Sequence, residues 1–402
     1  MTPEPLSILC VASYFKGEEF MRACKRQGCR VYLLTAEKLS DAAWPREYLD
    51  DIFFFPGNEE EWKENELVKG VSYLARTHIF NRIVPLDDFD LEKGAFLREH
   101  LRVPGMGDTR TRYFRDKLAM RMQAREYGIA VPDFEHVLND SRIKDFTDRC
   151  AAPWVIKPRS SASAAGIKII HSVSELTETR NQLGDEQSFY LLEQFIPGDI
   201  FHVDSIVFGS KVVFARAHQY TAPPLEVAHE GGIFATRNVL YDSPDEVSLL
   251  RMNDNVIGAM GLQAGVSHTE FIKSTDGTFY FLETSARVGG AHIAEMLEAS
   301  SGINLWAEWA QIECLPKGNS YQPPKARRDF SGVIISLARQ NNPDTSAYDD
   351  PEIVWRMHKP NHVGLIVQSP SQERIMELLH SYTKRFIDDF FAFVPAKDRP
   401  ID

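Results

Sequence analysis

The stretch from Ser267 to Ser285 constrains the fold most tightly. Two apolar segments, SHTEFIK (267–273) and TFYFLETS (278–285), flank Asp276-Gly277. Asp-Gly between two strand-like runs is the signal of a tight antiparallel hairpin, and a two-residue type I′ turn sets Glu270 directly opposite Glu283. Like charges opposed in this way destabilise a sheet unless a cation lies between them. The period of two puts Ser285 and Arg287 on the same face, with His268 across from them and Phe281, Ile272 and Phe279 as apolar neighbours. Two carboxylates, a hydroxyl oxygen and an arginine suit a magnesium ion bridging nucleotide phosphates. A four-residue loop would separate the carboxylates. Two solvated glutamates on an exposed face are the plainer alternative, against which the apolar neighbours speak.

The 402 residues, 43% of them hydrophobic, suffice for two or three cored domains. Residues 7–35 read strand, turn, helix, strand, and the pattern recurs through IFFF (52–55), a helix-like segment at 58–76 and RIVPLDD (82–88), which predicts a small parallel sheet flanked by helices. No G-x-G-x-x-G follows the first strand, so a structural or substrate-side role suits this unit better than a dinucleotide site. One helix is expected over 109–127, with Phe114, Leu118 and Met122 on one stripe, followed by a mostly antiparallel α+β centre. Its expected strands are WVIK (154–157), GIKII (166–170), FYLLEQFI (189–196), FHVDSIVF (201–208), KVVFARA (211–217) and the hairpin, with helices at 244–261 and 291–313. Residues 315–327 read as a linker before a small β-rich terminal unit ending in a helix at 370–389.

A net charge of −12 without a basic block disfavours nucleic-acid and anionic-membrane partners. No secretory leader and no membrane-spanning run is read, so a cytoplasmic protein is expected. Five cysteines, odd in number and without C-x-x-C spacing, read as buried small side chains rather than a disulfide framework or a zinc site.

A phosphate cradle is legible in PWVIKPRSSASAAGIKII. Lys157 ends an apolar strand, and Arg159 to Gly166, including Ser160, Ser161 and Ser163, is built almost wholly of small residues whose N–H groups are free to face an anion. An ordinary flexible hairpin loop is the alternative. Gly289 and Gly290, after Arg287, open a predicted helix whose first N–H groups suit an anionic substrate end, or form a plain helix start. LLEQFIPGD (191–199) is a strand and a sharp turn, and the loop at 218–234 carries Tyr220, His229 and Glu230.

In this order, these residues resemble the ATP-grasp superfamily over roughly residues 80–315. The resemblance implies ATP bound between two α+β halves with Mg²⁺ or Mn²⁺. It implies a Rossmann-like N-terminal unit (1–108), an ATP-grasp domain (109–325, lid 135–198) and a small C-terminal unit (326–402). It makes Lys117 and Lys157 the phosphate-contacting lysines and the Ser/Ala/Gly loop the flap. Glu193, Gln194, Phe195 and Ile196 become the adenine hinge, and His202 a ribose contact. Glu270 and Glu283 match the metal carboxylates, Ser285 stands where many members carry Asn, and Arg287 matches the arginine that steadies the transferred group. Val288 to His292 lacks the Glu that biotin carboxylases use for bicarbonate, and the Gly-Gly variant is similar to the carboxylate–amine ligases.

The resemblance therefore implies an amide-forming ligase that activates a carboxylate as an acyl phosphate and joins it to an amine. Its substrates are expected to be small molecules, amino acids among them, with Tyr220, His229 and Glu230 as acceptor contacts unless they are ordinary loop residues. A homodimer is a further implication. Biotin-carboxylase-like or carbamoyl-phosphate-type chemistry and a non-catalytic nucleotide-binding protein are the competing expectations.

Overall fold

The computed structural model describes residues 4–57, 62–161, 166–227, 232–316 and 318–392. Strands β1 (Ser7–Ala12), β2 (Arg30–Ala36), β3 (Asp51–Phe55) and β4 (Arg82–Pro85) form a parallel sheet in the order β3-β2-β1-β4. β1 is buried along its whole length, as a central parallel strand covered by helices on both faces requires. Its neighbour β4 delivers Asp87 and Asp88 just past the carboxyl end of the sheet, the edge at which open α/β sheets bind ligands.

A second sheet joins β5 (Phe134–His136), β6 (Trp154–Pro158), β7 (Lys168–Ile170) and β8 (Tyr190–Gln194), all antiparallel, around a small core that includes Phe146, Trp154, Ile156 and Leu192. The largest sheet has eight strands: β9 (Gly198–Phe208), β10 (Lys211–Tyr220), β11 (Phe234–Asn238), β12 (Ala264–Ser274), β13 (Phe279–Ser285), β14 (Phe330–Leu337), β15 (Ile353–Arg356) and β16 (His362–Ser369). Their order, β13-β12-β9-β10-β11-β14-β16-β15, makes the terminal strands a continuation of the central sheet through the β11–β14 pairing. One face packs, through Ile206, Phe214 and Val266, onto the core of the first unit and the helix Leu305–Cys314. The other covers Phe271 and Phe281 with the helices Lys117–Glu126 and Pro244–Met260.

Several expectations are corrected. The helix foreseen over 109–127 is interrupted at Arg115, because Asp116 is extended and its carboxylate accepts the N–H groups of Leu118 and Ala119, starting a new helix at Lys117. Met122 faces solvent, while Phe114 and Leu118 are buried. The helix foreseen over 291–313 is two, Ile293–Ser301 and Leu305–Cys314, separated where Gly302 is left-handed and Asn304 caps the second. Within the segment read as a linker, Tyr321 is buried, its hydroxyl 2.6 Å from Glu308. Tyr220 ends strand β10 instead of lying in the 218–234 loop.

The hairpin turn also differs. Ser274 pairs with Thr278 across three residues, and Gly277 takes the left-handed conformation such a loop needs. A bulge between Glu270 and Phe271 on one strand, with Leu282 as the extra residue on the other, brings Glu270 back opposite Glu283. The bulge flips the residues beyond it. Phe281 and Phe279 pack in the core on the far face, and Tyr280 and Leu282 join Ile272 on the near one.

Candidate functional site

The three sheets enclose a cleft of about 860 Å³. Lys16, Asp87, Asp88 and Phe89 line it from the first unit, Lys157, Glu193, Gln194, Phe195 and Ile196 from the second sheet, and Tyr220, His268, Glu270, Glu283, Ser285 and Arg287 from the third.

Glu270 and Glu283 face each other in register. Glu283 is 2.6 Å from the Lys117 ammonium, whose other contact is the Ser161 carbonyl at 2.7 Å. Glu270 accepts the Tyr220 hydroxyl at 2.9 Å and lies 3.5 Å from His268 Nε2. Burial works against the Glu270 charge, but the His268 hydrogen bond and its charge hold the carboxyl below the usual value. The same burial, together with Glu270, drives the Tyr220 phenol well above its ordinary range, so it remains a donor. These are hard oxygen donors set on adjacent strands, and they fit a small divalent cation bridging phosphate oxygens.

Lys157 is buried at 7% exposure and 2.5 Å from Glu193, which also pairs with the wholly buried Arg121. Desolvation pulls the Lys157 ammonium down, partly offset by Glu193. Glu193 remains ionised below its usual value because two cations outweigh its burial. Thus Glu193 serves the cations behind the hinge. Gln194 and Phe195 give their N–H groups to Asp133 and Pro153, which leaves Ile196 to offer a main-chain donor. At the start of the small-residue loop, Arg115 binds the Ser160 carbonyl at 2.5 Å, as Lys117 binds that of Ser161. Ser163, His229 and Glu230 lie outside the described residues.

Sequence reasoning missed Asp88. Its carboxylate accepts the Ser285 hydroxyl and the Arg287 guanidinium, Nε at 2.7 Å. Arg287 and Arg115 keep it well ionised despite its burial, and it raises Arg287 in return. Ser285 is therefore engaged with Asp88 across nearly two hundred residues of chain, rather than presenting a free oxygen to a cation. The available signal was the Asp-Asp pair after RIVPL at the carboxyl end of a parallel strand. Lys16, paired with Asp87, and Arg115, stacked over Phe89, were missed as well.

Four described residues assigned to the site are not in the cleft lining: Ser160, whose carbonyl meets Arg115, and His202, Gly166 and Gly289. His202 is wholly buried inside the large sheet, its ring nitrogens 2.8 Å from Asp204 and from Thr236, so it cannot meet a ribose. Gly166 is left-handed and lies against Pro158, where an added Cβ would come within 2.8 Å; its need is conformational. Gly289 backs onto Asp204 and His268, and the helix begins only at Ile293, after Ala291 and His292 in left-handed conformations, so the glycine pair does not open it. Gly290 does line the cleft.

Residues 150–295 match the family described as the ATP-grasp domain. The chain carries an ATP-grasp domain. It is 27% identical over 235 residues to the L-arginine-specific L-amino acid ligase of Bacillus subtilis, a match covering 56% of each chain. It is 24% identical over 199 residues to a D-alanine--D-alanine ligase of Neisseria gonorrhoeae, covering 47% of this chain and 64% of that one. The chain thus spans little more than half the length of these curated relatives. The L-amino acid ligase of Bacillus licheniformis shares the ATP-grasp fold across 98% of this chain and 100% of its own, with a TM-score of 0.77 at 18% identity. Among the described residues no helix is long and apolar enough to cross a membrane, and the cysteines are free thiols, Cys10, Cys24, Cys29 and Cys150 buried.

Proposed function

We propose that the protein is an ATP-dependent carboxylate–amine ligase acting on small amino-acid-like substrates. The reading is carried by the register that sets Glu270 opposite Glu283 in a cleft also lined by Lys117, Lys157 and Arg287. The relatives named above join amino acids, which supports the reaction class. In this reading residues 109–325 form the ATP-grasp domain, 135–198 its lid, 1–108 the preceding unit and 326–402 the terminal one.

The substrate carboxylate attacks the γ-phosphorus of ATP, releasing ADP and forming an acyl phosphate. The amine then attacks the acyl carbon, loses a proton and expels phosphate. Glu270 and Glu283 would hold Mg²⁺, or Mn²⁺, which when bound neutralises phosphate charge. Lys157 and Lys117 would stabilise charge on the phosphates, Lys117 exchanging the Ser161 carbonyl for a phosphate oxygen. The Ile196 N–H and the hinge carbonyls would read the base, between apolar walls that include Val155, Ile169 and Leu282. Arg287, fixed by Asp88, would orient the phosphoryl group being transferred, and the phenol of Tyr220 would hold Glu270. Closure of the lid would exclude the water that hydrolyses an acyl phosphate. His229 and Glu230 remain candidates for the amine side.

Incubation with ATP, Mg²⁺ and pairs of amino acids tests this directly. Phosphate release that requires both partners, with a condensed product by mass spectrometry and a hydroxamate when hydroxylamine replaces the amine, is the expected result. Phosphate release driven by bicarbonate alone, or tight ATP binding without turnover in every mixture, would defeat it.

A further inference from the structure

Behind Glu270 the large sheet buries a polar group of side chains that the proposed chemistry does not touch. Asp204 on β9 is fully buried. One of its carboxylate oxygens is 2.8 Å from His268 Nδ1, and the other is 2.8 Å from His202 Nδ1 and 3.2 Å from His218 Nδ1. The ladder pairs His268 with Asp204, and His202 with both Glu270 and His218, so all of these side chains stand on the face that forms the cleft floor. His268 connects the group to the site, with Nδ1 on Asp204 and Nε2 3.5 Å from Glu270.

Burying a carboxylate among imidazoles gives a sheet nothing that apolar residues would not supply more cheaply, so its presence here asks for a reason. Gly289 supplies a second, independent observation. Its φ is not left-handed, yet a Cβ there would stand 3.0 Å from both Asp204 Oδ1 and His268 Nδ1. The chain therefore lacks a side chain at 289 because the backbone closes over this hydrogen bond, and not for backbone freedom.

We propose that Asp204 is a positioning residue that acts through His268 to fix the Glu270 carboxylate for divalent-cation binding, with Gly289 as the backbone lid of this relay. The inference rests on the reading of Glu270 as a cation ligand. Hydrogen-bond partners of a ligand set its orientation, and their loss costs about 10–100-fold in metal affinity.

The test is calorimetric binding of ADP with and without Mg²⁺, alongside the Mg²⁺ dependence of ATP turnover, for Asp204→Asn, His268→Asn and Gly289→Ala. Each is expected to raise the half-saturating Mg²⁺ concentration about 10–100-fold. ADP binding without metal should stay unchanged, and saturating Mg²⁺ should largely restore turnover. A merely structural role would not separate these readouts. Gly258→Ala, on an exposed helical position with no neighbour within 4 Å, should leave the Mg²⁺ dependence untouched. If Asp204→Asn does not fold, Gly289→Ala carries the test with the carboxylate in place. Unshifted Mg²⁺ dependence in the three variants, where Glu270→Gln shifts it, overturns the relay and leaves the reading of the site standing. If Glu270→Gln also leaves the dependence unshifted, both fall. A stoichiometric transition metal in the purified protein, lost on His218→Ala, would equally overturn the relay, because Asp204 would then serve that ion.

Discussion

The two antiparallel sheets that form the cleft hold their charged groups by opposite means. The four-stranded sheet has a small core of its own and meets the rest of the molecule through Leu118 against Phe134 and Leu191, the Arg159–Asp116 and Arg121–Glu193 ion pairs, and the hydrogen bond from the Lys117 N–H to the Arg159 carbonyl. The eight-stranded sheet fixes Glu270 and Glu283 by main-chain ladder, by core on both faces and by the buried Asp204 group. A part-exposed ion pair such as Arg159–Asp116 is an interaction that a polyphosphate can compete with, whereas a ladder is not. The proposed closure therefore puts the movement in the small sheet and leaves the carboxylate-bearing sheet fixed.

The largest effects should come from the charged groups at the centre of the cleft. Lys157→Ala and Glu270→Gln are each expected to lower kcat/KM about 10²–10³-fold with the fold intact by circular dichroism. Full activity of either variant would break the division of labour between the sheets. Arg159→Ala, which unclamps the small sheet from Asp116, should raise KM for ATP about 10-fold with a smaller change in kcat, because a charge-assisted hydrogen bond at a part-buried site is lost. An equal loss in kcat would mean that the pair serves chemistry rather than closure.

The buried imidazoles of the large sheet make its stability depend on pH at both ends. Burial pulls His202 down to about 4, so the unfolded chain takes up that proton first and stability falls as pH drops below about 6.5. His268 is driven the other way: Asp204 overcomes burial and pushes it up to about 9, so its contribution is complete below about 6.5 and is lost as pH rises from there through about 9. Melting of the metal-free protein across pH 5–10 should therefore peak near pH 6.5. The alkaline limb, at most about 1.4 kcal/mol per pH unit, should flatten in His268→Asn. The smallest expected change is a gain: Gly258→Ala should stabilise the helix Pro244–Met260 by up to about 1 kcal/mol, seen as a slightly higher Tm with ATP affinity unchanged.

Much of the site was legible because it lies on short runs with local signals. Lys157 and the Glu270–Glu283 pair follow from strand alternation and a turn, the hinge was implied by the family resemblance, and the first unit's parallel sheet follows from its β-α-β rhythm. Yet the facing glutamates were reached through the wrong turn, since a three-residue loop and a bulge give the same pairing as a two-residue turn. Pairings at a distance left no such mark. Asp88 meets Ser285 and Arg287 only after the first unit docks, and His202 and Gly289 take their meaning from neighbouring strands and a returning loop.

The residues by themselves determined most of the longer strands, where the acidic and basic groups fall along them, and hence that an anionic ligand with a divalent ion suits the centre of the chain, while the strands Phe134–His136, Phe234–Asn238 and Ile353–Arg356 went unread. Only the tertiary structure decided which of those groups reach the cleft and which are sealed behind it. The reason is geometric: alternation fixes a side chain's face relative to its own strand, while bulges, sheet order and the packing of one unit against another fix which face meets solvent.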